Sequence, residues 1–141
     1  WQLPPFLKKS RNRLEQFLKH LPKSYCHAIE FRHPSWLDEE IFEILRKHHA
    51  AFVSVSSLAM PMNLAVTADF IYIRFHGLEN GGAHNYTREE LKPWAGHIRK
   101  QAKSGKSVYA YFNNDANVRA PNNAKMLMEM VGKSAVQPFG S

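Results

Sequence analysis

The sequence predicts an α/β fold in which parallel βα units enclose a polar interior. Three observations predict it. Short segments rich in β-branched and aromatic residues alternate with amphipathic helical segments, the order of crossover units on a parallel sheet. The strands are apolar on one face only, which a parallel sheet covered by helices on both sides does not favour. The other face gathers Glu, Arg, His, Tyr and Asn toward the C-terminal strand ends, as the catalytic mouth of a barrel does.

Taken in order, Trp1-Gln2-Leu3-Pro4-Pro5 reads as the end of a strand, and a start at Trp1 without an initiator methionine reads as a processed or trimmed product or, the favoured reading, a fragment of a larger domain. Ser10 is placed to cap a first helix to about His20, with Leu14, Phe17, Leu18 and Leu21 at i, i+3, i+4, i+7 spacing. Pro22-Lys23 ends it. Tyr25 to Phe31 is the next strand, over by His33 because Pro34 cannot continue a ladder. Ser35 is the expected cap of a second helix, with Asp38, Glu39 and Glu40 near the positive end of its dipole. Leu37, Ile41, Ile44, Leu45 and His48 form its inner stripe.

Ala51 to Val55 is a short apolar strand, followed by a loop through Met60-Pro61, and Phe70 to Phe75 is a strand ended by Gly77. The loop from Gly77 to Tyr86, with Asn80-Gly81-Gly82, is expected to be mobile. Thr87 with Glu90 forms a capping-box pattern for a third helix, whose buried face is Leu91, Trp94, Ala95, Ile98 and Ala102. Pro93 should bend or loosen its first turns. Gly105 closes it, Lys106 to Phe112 is the last strand, and a final helix runs from about Pro121 to Val131 with Gly132 past its end. The tail to Ser141 is expected to be loose.

Alternation along the strands sets out the interior. Ile29 and Phe31 oppose Glu30 and Arg32; Ile71, Ile73 and Phe75 oppose Tyr72, Arg74 and His76; Val108, Ala110 and Phe112 oppose Tyr109, Tyr111 and Asn113. Val53 and Val55 are read as opposing Ser54 and Ser56 in the same way. An unpaired buried charge costs several kcal/mol on the order-of-magnitude scale, so Glu30 should pair with Arg74 or Arg32. His33 and His76 lie at strand ends, where a general base or a metal ligand would sit. Glu30, His33, His76 and Asp115 are the set a metal would need, but no close ligand spacing supports one and no metal is assigned.

Asn113-Asn114-Asp115 suits sugar hydroxyls or phosphate, or simply builds a turn. Cys26, early in its strand, reads as core. A Gly-rich phosphate loop, a nucleophile elbow and a zinc-type cysteine pattern are all missing.

At 141 residues the chain suits one domain, with apolar residues at 44% and charged residues at 22%. A single cysteine fits a reducing compartment, and no apolar run approaches the ~20 residues of a membrane span, so a cytoplasmic protein is expected. The net charge of +7 is spread over Lys8, Lys9, Arg11, Arg13, Lys19 and Lys23, then Lys92, Arg99, Lys100, Lys103 and Lys106. Such spacing suits a solvated helix surface better than a nucleic-acid stripe.

Several motifs then point to a family. Gln2-Leu3-Pro4-Pro5, Glu30-Phe31-Arg32-His33-Pro34-Ser35-Trp36, Thr67 through Gly77, Tyr111-Phe112-Asn113-Asn114-Asp115 and Asn123-Ala124 stand in the order and spacing of the DUF72 (YecE-like) family, which the chain resembles over nearly its whole length. The resemblance implies a TIM-barrel-like fold of roughly 250 residues and no established activity. It covers the C-terminal portion alone, so residues 1–141 are expected to be one domain forming a half barrel. Ser56 stands where relatives commonly place an aspartate, which would remove an acid from the mouth.

The resulting expectation is a partial TIM-barrel-like α/β domain whose mouth binds or turns over a small polar or anionic ligand. Glu30 and His76 are the acid/base candidates. Arg32 and Arg74 would orient an anion, with His33, Tyr111, Asn113 and Asp115 completing the wall. The sequence leaves the cofactor unknown. A half barrel with open edges should associate with another copy or with a complementing N-terminal fragment. A basic nucleic-acid-binding module and a truncated product without activity are the alternatives.

Overall fold

The computed structural model describes residues 1–79 and 81–132 as two layers, helices on one side of a parallel sheet. The strands β1 (Ala28–Ile29), β2 (Ala51–Ser57), β3 (Phe70–Gly77) and β4 (Ser107–Phe112) lie side by side in chain order. That sequential order is the order of consecutive units in a βα barrel, and here the sheet stays open, so the molecule is part of a barrel. Trp1 to Leu3 adds a further parallel rung: Glu30 N donates to Trp1 O at 2.8 Å and Leu3 N to Glu30 O at 2.9 Å.

Among the described residues the α-helices are α1 (Arg11–His20), α2 (Glu39–Lys47), α3 (Arg88–Lys103) and α4 (Arg119–Val131). Each arises where an apolar stripe meets a usable end. Thr87 and Glu90 form the full capping box of α3, which runs unbroken through Pro93, and Gly132 at φ 96° ends α4 where a side chain would be strained. Residues 133–141, where the loose tail is expected, lie outside the described residues.

Several expectations are corrected. The strand expected over Tyr25 to Phe31 pairs with β2 only at Ala28 and Ile29, because His27 Nε2 binds Pro22 O at 2.8 Å and folds residues 22–27 into a turn. Cys26 lies in that turn and is exposed rather than in the core. Ser35 does not cap α2. It sits in a 3-10 turn (Pro34–Trp36), where its hydroxyl accepts Lys9 N at 2.9 Å, while Asp38 caps α2 by accepting Glu40 N at 3.0 Å.

The loop after β3 holds a 3-10 turn (Gly81–Ala83) and delivers His84 and Tyr86 as buried side chains. The final helix begins two residues before Pro121, at Arg119.

The largest correction concerns β2. Register places Val53 beside Tyr72 and Val55 beside Arg74, and Ser54 and Ser56 beside Ile73 and Phe75. Paired residues of parallel strands share a face. The two serines therefore face the helices and the two valines face the open side. Ser56 cannot remove an acid from the mouth, because its hydroxyl is on the opposite face, where it accepts Tyr86 OH at 2.9 Å.

Apolar packing forms two clusters under the helices. One joins Ile29, Phe31 and Phe52 to Leu14, Leu18, Trp36, Ile41 and Leu45. The other joins Ile71, Ile73 and Phe75 to Tyr86, Leu91, Trp94, Ile98 and Leu127. The connection from β2 to β3, residues 58–69, contains no helix. Leu64 and Val66 pack on the second cluster and Ala65 on the first. Thr67 Oγ1 pins this segment to the sheet, accepting Phe52 N and donating to Ala50 O, both at 2.7 Å.

Candidate functional site

The open face of the sheet carries one charged cluster, and it is built from strand ends. Glu30 leaves β1 with its backbone held on both sides, by Trp1 and Leu3, and its side chain turned away from Ile29 and Phe31. Alternation along β3 turns Arg74 and His76 to the same face. Glu30 Oε2 accepts Arg74 Nη1 at 2.7 Å, and Glu30 Oε1 lies 3.1 Å from His76 Nε2. Asn113, just past β4, braces the guanidinium from the far side: its Oδ1 accepts Arg74 Nε at 3.2 Å and Nη2 at 2.9 Å.

Glu30 is 2% exposed, so its charge has to be compensated. Burial alone pushes its carboxyl up. The hydrogen bonds from His76 and Gln2, together with the charges of Arg74 and His76, outweigh burial and hold the carboxyl at about 2. Glu30 is therefore an anion across the physiological range.

Arg74 carries five N–H donors, and the bonds to Glu30 and Asn113 use three of them among the described residues. Two donors, one on each terminal nitrogen, remain on a side chain that is only partly buried.

A cavity of about 330 Å³ opens beneath this cluster, lined among others by Trp1, Ala28, Val53 and Tyr72, with Gln2, Glu30 and Arg74 at its upper end. His76 and Asn113 lie beyond that end, toward the C-terminal strand ends. Glu30 and Arg74 thus belong both to the charged cluster and to the cavity lining. Tyr72 stacks on Tyr111 with ring centroids 5.2 Å apart, and Tyr111 sits in register with Arg74.

Of the residues singled out from sequence, Glu30, Arg74, His76 and Asn113 form one bonded cluster and Tyr111 lies beside it. Arg32, His33 and Asp115 do not join it. Arg32 is exposed. His33 turns back on its own segment, where Nδ1 accepts Ser35 N at 3.2 Å and caps the 3-10 turn. Asp115 is exposed and lies near Gly82. Among the described residues, no three His, Cys, Asp or Glu side chains converge in a way that would hold a metal ion.

Sequence reasoning missed two features. Gln2 belongs to the cluster, its Nε2 donating to Glu30 Oε1 at 2.8 Å. The other is a buried carboxamide network on the helical side. Asn114 Nδ2 donates to His84 O at 2.8 Å and to Asn123 Oδ1 at 2.6 Å, and Asn123 Oδ1 also accepts Tyr86 N at 3.1 Å. The spacing of Ala120, Asn123, Leu127 and Val131 puts Asn123 on the apolar stripe of α4, a signal readable in the sequence.

Two solved structures share this architecture, and a further protein matches in sequence. A protein of Bacillus subtilis (strain 168), UPF0759 protein YunF, is 24% identical over 158 aligned residues that take in 93% of this chain and 56% of YunF. The crystal structure of a DUF72 family protein from Thermotoga maritima superposes with a TM-score of 0.83 at 32% identity, covering 92% of this chain and 55% of that one. A DUF72 family protein from Enterococcus faecalis superposes with a TM-score of 0.76 at 20% identity, which shows the fold alone, and the match covers 59% of it. The chain thus spans little more than half the length of these relatives. A family model described as "Protein of unknown function DUF72" matches residues 1–140, and the chain belongs to that family.

Proposed function

We propose that the mouth formed by Glu30, Arg74, His76 and Asn113 binds a small polar or anionic ligand. The observation that carries this reading is the state of Arg74. Its guanidinium is fixed by Glu30 on one side and Asn113 on the other, and among the described residues two of its N–H donors are left unspent. A guanidinium fixed in this way loses little side-chain entropy on receiving a carboxylate or phosphate, which favours it over a free surface arginine. Tyr111 supplies a flat apolar wall beside it.

Basic residues elsewhere give less support to a nucleic-acid reading. On the α1–α2 surface, Lys9 pairs with Asp38, Arg11 with Glu40, Lys47 with Glu15 and Arg46 with Glu39. Titration calorimetry with inorganic phosphate and small carboxylates tests the proposal. Binding should occur in the unsubstituted protein and be abolished by Arg74→Ala. Binding that survives Arg74→Ala, or a duplex oligonucleotide bound with a steep salt dependence in place of small anions, would refute it.

A further inference from the structure

We propose that His76 Nδ1 is the proton acceptor of this mouth and that Gln2 is the positioning residue that makes it so. The proposal rests on the anion-binding reading, and it divides roles that sequence alone leaves joined. An ionised carboxylate has no proton to donate, so both groups on Glu30 Oε1 have to be donors. In its neutral form His76 therefore carries its proton on Nε2, 3.1 Å from that oxygen, and presents Nδ1 as a bare lone pair. By the same logic Gln2 presents its amide nitrogen, at 2.8 Å, and not its carbonyl. With Oε2 occupied by Arg74, the carboxylate is held at both oxygens and Glu30 cannot rotate away from His76.

The chemistry follows from that tautomer. A C–H or O–H bond of a ligand held on Arg74 breaks, an N–H bond forms at His76 Nδ1, and the bonding pair stays on the ligand. The imidazolium that results donates from Nε2 to Glu30, whose negative charge offsets the new positive one. Return of the same proton to another atom of the ligand completes an isomerisation or an exchange without any further reactant. Glu30 is a fixed counter-charge in this scheme and holds no proton at any stage. Among the described residues the Gln2 side chain hydrogen-bonds Glu30 alone, and it acts through that carboxylate.

The role of Gln2 can be separated from mere stability because its substitution leaves the backbone rung of Trp1 to Leu3 in place. In 15N-labelled protein above neutral pH, two-bond proton–nitrogen spectra of the imidazoles should show His76 as the Nε2–H tautomer with Nδ1 unprotonated. Gln2→Ala should lose that single tautomer and show a mixture, with the backbone amide spectrum otherwise preserved. Adding inorganic phosphate to the same samples should move the Arg74 Nε–H resonance. A Nδ1–H tautomer in the unsubstituted protein, or a tautomer that Gln2→Ala leaves unchanged, would overturn the proposal. An Arg74 resonance that phosphate does not move, with the His76 tautomer as expected, would instead overturn the anion-binding reading.

Discussion

At the scale of single residues, Glu30 is the side chain with most at stake. Its carboxyl sits at about 2 in the folded protein against an ordinary 4.5, so folding favours its ionised form. The stability this confers is fully present above pH 4.5 and is lost as pH falls toward 2. The gap is worth on the order of 3 kcal/mol. Urea unfolding followed between about pH 6 and pH 2 should therefore show a loss that Glu30→Gln largely flattens; a parallel loss in both proteins would assign the acid sensitivity elsewhere. Arg74→Met should cost about 3–5 kcal/mol at neutral pH, because it strands a buried carboxylate. Combining it with Glu30→Gln should recover much of that cost, which denaturation of the double variant would measure.

Much of this cluster was legible in the sequence, because period-2 alternation states which strand residues share a face. Glu30, Arg74, His76 and Asn113 follow from that alone. Arg32 and His33 did not follow, because the chain leaves the sheet after Glu30 and alternation no longer governs where side chains point. Gln2 was hidden for another reason: a single parallel rung gives no periodic signal.

At the scale of elements, the ends of α3 and α4 decide more than their centres. Thr87 caps α3 through both halves of a reciprocal hydrogen-bond pair with Glu90. Thr87→Ala should lower stability by about 1 kcal/mol, read as a shift in the urea midpoint with the slope unchanged. Tyr86 ties the loop before α3 to two strands, accepting Gly77 N at 2.9 Å and donating to Ser56. Tyr86→Phe leaves that buried amide without a partner and should cost about 1–3 kcal/mol, with Gly77 showing faster amide exchange than its neighbours in β3. A Gly77 amide as protected as before would mean that the phenol is not what holds the loop.

The capping box was readable from Thr87 and Glu90 three residues apart. The face of β2 was not. Alternating Val and Ser suit either orientation when composition is the guide, and only the register against β3 shows that the serines sit under the helices. Ser54 and Ser56 are tolerated there because they are small, and Ser56 is also satisfied by Tyr86.

At the scale of the whole molecule, the defining feature is the open sheet. Tyr109 and Tyr111, on the last strand, are 41% and 45% exposed, and Trp1 at the opposite edge is 60% exposed. A strand edge flanked by exposed aromatics invites pairing with another chain. The isolated chain is expected to self-associate at micromolar concentration, and sedimentation velocity over a concentration series checks this. A single concentration-independent monomer with a cooperative melt would count against it. The βα alternation and the parallel sheet were both evident from sequence, since Pro, Gly and capping residues punctuate them. Where the sheet ends was less evident, because edge and central strands carry the same alternation.

The helix-free crossover over residues 58–69 is the place at which the molecule divides into two pieces. It runs between the two apolar clusters, and Leu58 at 75% and Met62 at 54% exposure offer a protease accessible cleavage points. A single cut there would leave two fragments, one holding Glu30 and the other Arg74 and His76. They would stay together through the β2–β3 ladder, the Tyr86–Ser56 bond and the bonds made by Glu30. The charged cluster is thus also the clasp of a split protein, and whether the severed halves find each other again reports on it directly.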